Sequence, residues 1–204
     1  MRNRLVQLFK ESTCAKSFAT GYLDYLIERI RCLDCGEIED FIGVLSDVQR
    51  EGRRVFFIGN GGSAATASHF ANDLSIGTRS WEMPLRAVAL TDNVAILTAI
   101  ANDYGYDDVF RLQLTTQAQK GDVVVAISAS GNSPNLLQAV EYANQASLIT
   151  VGLTGFDGGA LKKLTQFNVH VDSGHGEYGP VEDLHMVLDH LVGTYLMFKN
   201  RGEP

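Results

Sequence analysis

Arg54-Val55-Phe56-Phe57-Ile58-Gly59-Asn60-Gly61-Gly62-Ser63-Ala64-Ala65-Thr66-Ala67-Ser68-His69-Phe70-Ala71 decides the fold. The first five residues read as a buried strand, and from Ser63 the chain turns small and then apolar at helical spacing. Between them lies a glycine-rich turn. A turn of this kind, set between a strand and a helix, lets the backbone approach a ligand and aims free N–H groups at it. The usual guest is an anion, most often a phosphate.

Downstream, strand signals recur at Val55–Ile58, Leu85–Leu90, Val123–Ile127, Ile149–Leu153 and Phe167–Val171. They are rich in Val and Ile, and the first and third are nearly continuous apolar runs, as expected of strands buried on both faces of a parallel sheet. Helix-length segments separate them at about 63–75, 93–101, 134–146 and 158–165, and a last helix is expected at about 180–199. That helix carries Val181, Leu184, Leu188, Leu191, Val192 and Leu196 as its apolar positions. Upstream, Phe18, Tyr22, Leu26 and Ile30 mark one helix, and Ile38, Phe41, Ile42, Leu45 and Val48 a second. Gly36 is expected to separate the two, and Gly52 to end the second.

The pattern predicts an α/β fold, with a five-stranded parallel sheet flanked by helices in three flavodoxin-like layers and an N-terminal helical extension. One domain is expected over 1–204, with helices in 1–52 and the α/β core in 53–200. In such sheets ligands bind beyond the carboxyl ends of the strands. The loops after Ile58, Leu90, Ile127 and Leu153 are therefore the places to look.

Composition narrows the function. The 204-residue chain is 45% hydrophobic and carries a net charge of −7 with no basic block, which disfavours a nucleic-acid groove. No apolar run approaches the roughly 20 residues that span a bilayer, so no membrane association is expected. The N-terminus (Met1-Arg2-Asn3-Arg4) is followed by mixed charge, which argues against a signal peptide. Cys32 and Cys35 have redox-motif spacing, but no second pair completes a zinc site. They read as reduced thiols, and a reducing cytoplasm fits the odd count of three cysteines.

After the third strand comes Ile127-Ser128-Ala129-Ser130-Gly131-Asn132-Ser133-Pro134-Asn135. Ser133-Pro134 is a helix start, a hydroxyl N-cap followed by proline at the first helical position. The serines crowd one helix N-terminus. Joined to the glycine turn, to Ala101-Asn102-Asp103-Tyr104-Gly105-Tyr106 and to Leu153-Thr154-Gly155-Phe156-Asp157-Gly158-Gly159, this loop makes the chain resemble the SIS (sugar isomerase) family. Within that family it is most similar to the phosphoheptose isomerases, and the likeness runs to about residue 196.

The resemblance implies an intramolecular oxidoreductase that converts sedoheptulose 7-phosphate to D-glycero-D-manno-heptose 7-phosphate through an enediol. It gives Ser128, Ser130 and Ser133, with Ala129, the phosphate grip. It lines the substrate with Asn60, Gly61, Gly62, Ser63, Asn102, Asp103, Asp73 and Glu182. It makes Asp73 and His190 the acid/base pair. It also aligns His69, Asp73, Glu182 and His190 with a metal set of two imidazoles and two carboxylates that suits zinc.

Helix geometry bears on these residues independently. His69 and Asp73 are four apart and face one way. Glu182 and His190 are eight apart, about 80° around a helix, and so share a broad face. His185 and Asp189 are expected elsewhere on the surface of that helix.

Departures from the family pattern are informative. The family usually has Glu at the position of Asp73 and Gln at that of Glu182, and its arginine after the carboxylate falls at Gly77, with Arg79 the nearest substitute. Asp is one methylene shorter, which sets a base about 1.5 Å back, and misplacement of that order can cost about a hundredfold in rate. The added charge of Glu182 should strengthen divalent metal binding. Non-catalytic SIS proteins, such as phosphosugar sensors and the replication-initiator-associating protein, share the fold and the serine loop but lack the carboxylate–histidine pair. Asp73 and His190 favour the enzyme. The family further implies a homotetramer whose subunits complete one another's sites through the 1–52 helices, with Asp73 and His190 supplied by different subunits.

Overall fold

The computed structural model describes residues 3–202; Met1 and Arg2, which entered the reading of the N-terminus, lie outside that range. A five-stranded sheet forms the centre. Its strands are β1 (Arg54–Gly59), β2 (Arg86–Ala89), β3 (Val123–Ser128), β4 (Ile149–Phe156) and β5 (Phe167–Asp172). Their order is β2-β1-β3-β4-β5 and every pairing is parallel. From β1 the chain steps outward to β2, then returns to lay β3 on the other side of β1. That reversal opens a crevice between the carboxyl ends of β1 and β3. The register Gly59↔Ile127 sets the glycine turn beside the serine loop at this switch point.

Helices cover both faces. On one lie α3 (Cys35–Arg50), α4 (Gly62–Asn72) and α9 (Tyr178–Asn200), packed over Val55, Phe57, Val123, Val125 and Val151. On the other, α6 (Arg111–Gln117) and α7 (Pro134–Gln145) bury Leu114, Leu136, Ala139 and Val140 against Phe56, Ile58, Val124 and Ala126. The alternating residues of β1 thus point into two separate cores, which explains its continuous apolar run.

The expected strands and main helices are present, with adjusted ends. The N-terminal region differs more, since three helices stand where two were expected: α1 (Arg4–Glu11), α2 (Ala15–Arg31) and α3. The break before α2 is built by Ser17, whose Oγ accepts from the backbone N–H groups of Thr13 and Cys14 at 3.1 and 3.2 Å. Gly36 does not separate helices; it sits in the first turn of α3, where its N–H donates to the capping carboxylate of Asp34 at 2.7 Å. Gly52 does follow the end of α3, with φ +65°. Two further helices, α5 (Val94–Asp103) and α8 (Leu161–Leu164), complete the helices, and α8 is a single turn. No described helix is long and apolar enough to cross a membrane.

Candidate active site

Phe70 fixes the helix that carries the first site residues. It is fully buried, stacked on Phe57 at 5.1 Å between ring centroids and edge-on to Phe41 at 6.2 Å. With Ala67 and Ala71 of α4 and Leu74 of the turn that continues it, Phe70 forms a buried stripe, so His69 and Asp73 fall on the flank of that stripe, toward α9. Asp73 also begins a π-helical turn, Asp73–Gly77, closed by the Thr78 N–H to the Asp73 carbonyl at 2.9 Å. Such widened turns often occur at functional sites.

Helices α4 and α9 run side by side in the same direction, and their contacts define two stations. At the first, near their N-termini, Gly62 faces Glu182. A Cβ on Gly62 would run into the Glu182 carboxylate as it lies here, so the carboxylate packs directly over this glycine. Glu182 is half-buried, and desolvation, reinforced by Asp183, holds its carboxyl above the ordinary range. It lines a pocket with Asn60, Ser63, Ser128, Ser130, Ser133 and Tyr178.

That pocket is rigidly built. Asn60 and Asn135 exchange two amide hydrogen bonds of 2.9 Å across the crevice, and the Tyr106 hydroxyl donates to Asn60 Oδ1 at 2.9 Å. Ser128 Oγ accepts the Gly131 N–H at 3.0 Å, which curls the serine loop. Gly131 has φ +64°, and a Cβ there would strike the Gly158 carbonyl of the loop after β4. Asn132 locks those two loops together by accepting the Ala160 N–H at 3.0 Å. Ser133 occupies the N-cap of α7, as its sequence predicts, yet makes no capping hydrogen bond. Its hydroxyl, like the N–H groups of the first helical turn, is left for another partner. Ala129 lines the same pocket, whereas Gly61 and Gly62, between Asn60 and Ser63, are not among its lining residues. Asn102 and Asp103 do not line it; they sit exposed at the end of α5, where the Asn102 amide donates to Asp103 at 2.7 Å.

At the second station four residues converge: His69, Asp73, Asp189 and His190. One potential ligand atom from each lies within 4.8 Å of all the others. His69 Nε2 stands 3.6 Å from Asp73 Oδ2 and 3.7 Å from Asp189 Oδ2, and its ring meets that of His190 edge-on at 5.2 Å. The His69 and Asp73 side chains are 43% and 27% exposed, so the cluster opens to solvent. A cleft of about 220 Å³ adjoins it, lined by Asp73, Gly77, His190 and Gly193.

This arrangement corrects the sequence reading in three places. Glu182 does not join His69, Asp73 and His190. Eight residues on a helix give about 80° of rotation but also about 12 Å of rise, which sends Glu182 to the other station. Asp189 takes its place. It and His185 are not on the helix surface; both are fully buried, while Leu191, expected to be apolar core, is exposed. Asp73 and His190, expected from different subunits, meet within one chain because α4 packs along α9.

The buried groups carry clear electrostatic signatures. Burial and then the neighbouring Asp73 charge push the Asp189 carboxyl up to about 7, a trend that a bound cation would reverse. Neither Asp189 oxygen has a hydrogen-bond partner. His185 is pushed down to about 4 by burial, and its Nε2 lies 3.4 Å from the Thr154 carbonyl. Two imidazoles and two carboxylates around one point fit a borderline divalent metal such as zinc.

Comparison with known proteins identifies the family. Residues 21–155 match the SIS domain family. A phosphoheptose isomerase of Geobacter metallireducens is 44% identical over 155 residues, which cover 76% of this chain and 81% of that protein. A probable phosphoheptose isomerase of Thermoplasma acidophilum is 39% identical over 171 residues, covering 82% and 93%. Among solved structures, the phosphoheptose isomerase of Neisseria gonorrhoeae superimposes with a TM-score of 0.81 at 30% identity, over 90% of this chain and 98% of that one. With a family match across most of its length, relatives near 40% identity and the same fold in a solved member, the chain belongs to the SIS domain family, in its phosphoheptose isomerase group.

Proposed function

We propose that the protein is a phosphosugar aldose–ketose isomerase that converts sedoheptulose 7-phosphate to D-glycero-D-manno-heptose 7-phosphate. The observation that carries this reading is the pairing of two stations on one pair of parallel helices. An anion-ready serine pocket lies at the start of α4 and α9, and an acid/base cluster lies farther along them. A linear seven-carbon phosphate has a charged end for the first and a reacting carbonyl end for the second.

The phosphate binds to the hydroxyls of Ser128, Ser130 and Ser133 and to the free N–H groups at the start of α7. Asn60, held by Asn135, presents its amide to the sugar. The Asp73 carboxylate removes a proton from C1 of the ketose, and His190 gives a proton to the carbonyl oxygen at C2. The result is an enediol. Return of a proton to C2 and loss of one from the C1 hydroxyl complete the aldose, with no net change in protons. Acid–base help of this kind contributes roughly 10²–10⁴-fold. His69, Asp73 and His190 would hold a divalent ion, zinc by preference, which when bound supplies Lewis-acid polarisation of the substrate oxygens.

The serine pocket, at about 160 Å³, is smaller than the roughly 300–1,000 Å³ of complete small-molecule sites. Helix α5 is strongly apolar yet buries no residue, and Leu23, Ile27 and Ile30 of α2 are exposed. Both features support a homotetramer in which neighbouring subunits, through the 1–52 helices, wall in the substrate and bring Asn102 and Asp103 to a neighbour's site. Three exposed free thiols are in keeping with the reducing cytoplasm.

The test is incubation of purified protein with sedoheptulose 7-phosphate, with and without added zinc, followed by NMR. Conversion that is lost in His190→Ala supports the reading. No turnover in either condition would assign the protein to the non-catalytic phosphosugar binders of the family.

A further inference from the structure

We propose that Asp189 is a metal ligand of this chain, completing with His69, Asp73 and His190 the set for which the family resemblance implies Glu182. The inference rests on the metal assignment above but not on turnover.

Three observations carry it. Asp189 is fully buried, and neither carboxylate oxygen accepts a hydrogen bond. Burying a carboxylate that accepts no hydrogen bond is expensive, and buried charges are ordinarily closely paired or metal-bound. Its position is the second point. The 3.6 and 3.7 Å separations from His69 Nε2 to Asp73 Oδ2 and Asp189 Oδ2 are too long for hydrogen bonds. They are close to the spacing of ligands around one ion, since atoms about 2.0–2.2 Å from a tetrahedral zinc lie about 3.3–3.6 Å from one another. The third is the position of Glu182, whose carboxylate is packed over Gly62 at the other station. Its carboxylate is not among the ligand atoms that converge at this cluster. With Asp189 in the set, two carboxylates neutralise a divalent cation, and like charges that repel in the apoprotein become bridged.

The experiment is metal titration of the chelator-stripped full chain with Zn²⁺ and Co²⁺, read by bound-metal content, competition with a chelator and thermal melting. Asp189→Asn should weaken zinc binding at least tenfold, abolish most of the zinc-induced rise in Tm, and leave the apoprotein melting at or above wild type. Glu182→Gln should keep zinc affinity within about twofold of wild type. Asp189→Cys keeps a ligand of similar length, and its Co²⁺ complex should gain a thiolate-to-cobalt charge-transfer band beyond any shown by wild type. Wild-type zinc affinity in Asp189→Asn would overturn the inference and leave Asp189 as an ion-pair partner of His69. It would also be overturned by a loss in Glu182→Gln equal to that in Asp189→Asn, by the absence of the new band, or by a wild type that holds no metal. A protein that shows these metal effects but isomerises nothing would keep this inference and lose the proposed reaction.

Discussion

Glu177 and Asp189 are both fully buried carboxylates at α9, one at its N-cap and one eleven residues into the helix, yet their surroundings are opposite. Glu177 is saturated: it accepts the Arg4 N–H, the Tyr25 hydroxyl at 2.5 Å and the Gly174 N–H at 2.8 Å. It therefore ties α1 and α2 to the start of α9. Asp189 accepts no hydrogen bond, with His69 Nε2 standing off at 3.7 Å, and faces a second carboxylate. A satisfied buried charge strengthens the fold, whereas an unsatisfied one is a standing cost, retained where a ligand or a reaction needs it. The contrast separates scaffold from site within one helix.

Mutations should separate the two regions in kind as well as in size. The largest effect is expected at the functional end, where Asp73→Asn should lower kcat by roughly 10²–10⁴-fold while leaving the denaturation midpoint unchanged or higher; steady-state kinetics and urea melts check both. At the scaffold end, Glu177→Ala should invert that pattern. Stripping partners from several buried donors is expected to lower unfolding free energy by about 3–5 kcal/mol, with kcat retained per folded molecule.

His185, between these two carboxylates, sharpens the comparison through pH. Its folded pKa of about 4 lies below the ordinary 6.5, so the folded state binds the proton less readily than the unfolded chain. Its contribution is complete above about pH 6.5 and is lost as pH falls toward 4, by at most about 3 kcal/mol. His185→Leu should flatten that limb of a stability–pH curve. The smallest effect is expected in the serine pocket: Ser133→Ala removes one hydroxyl from the anion grip and should raise KM roughly tenfold with kcat nearly unchanged.

Most of the fold was legible because parallel strands buried on both sides announce themselves as Val- and Ile-rich runs, and the switch-point loops between them carry glycine and serine. The Ser133-Pro134 helix start was equally plain. Helix α6 was not, because seven residues burying only Gln113 and Leu114 leave no periodicity to read. The break before α2 depended on one serine accepting two backbone bonds, a signal weaker than the apolar repeat that ran past it.

In the candidate site, His69, Asp73 and His190 were expected together, and the fold brings the three side chains together. The burial of Asp189 was missed because a charged residue reads as surface. Yet His185, Asp189 and Gly193 recur at four-residue spacing beside Leu184, Leu188 and Val192, a second lane of one broad buried face that marks the polar residues in it as internal. Glu182 lines the serine pocket but does not join the cluster expected of it, because its angle on the helix wheel suited that cluster and its rise along the axis did not.

Turnover in deuterated water tests proton transfer through an enediol at Asp73 and His190 most directly. With sedoheptulose 7-phosphate in D₂O, NMR should show the aldose phosphate carrying deuterium at C2, with conversion and exchange both lost in Asp73→Asn. A wild-type protein that leaves the ketose unconverted and free of deuterium, with zinc present and absent, would contradict it.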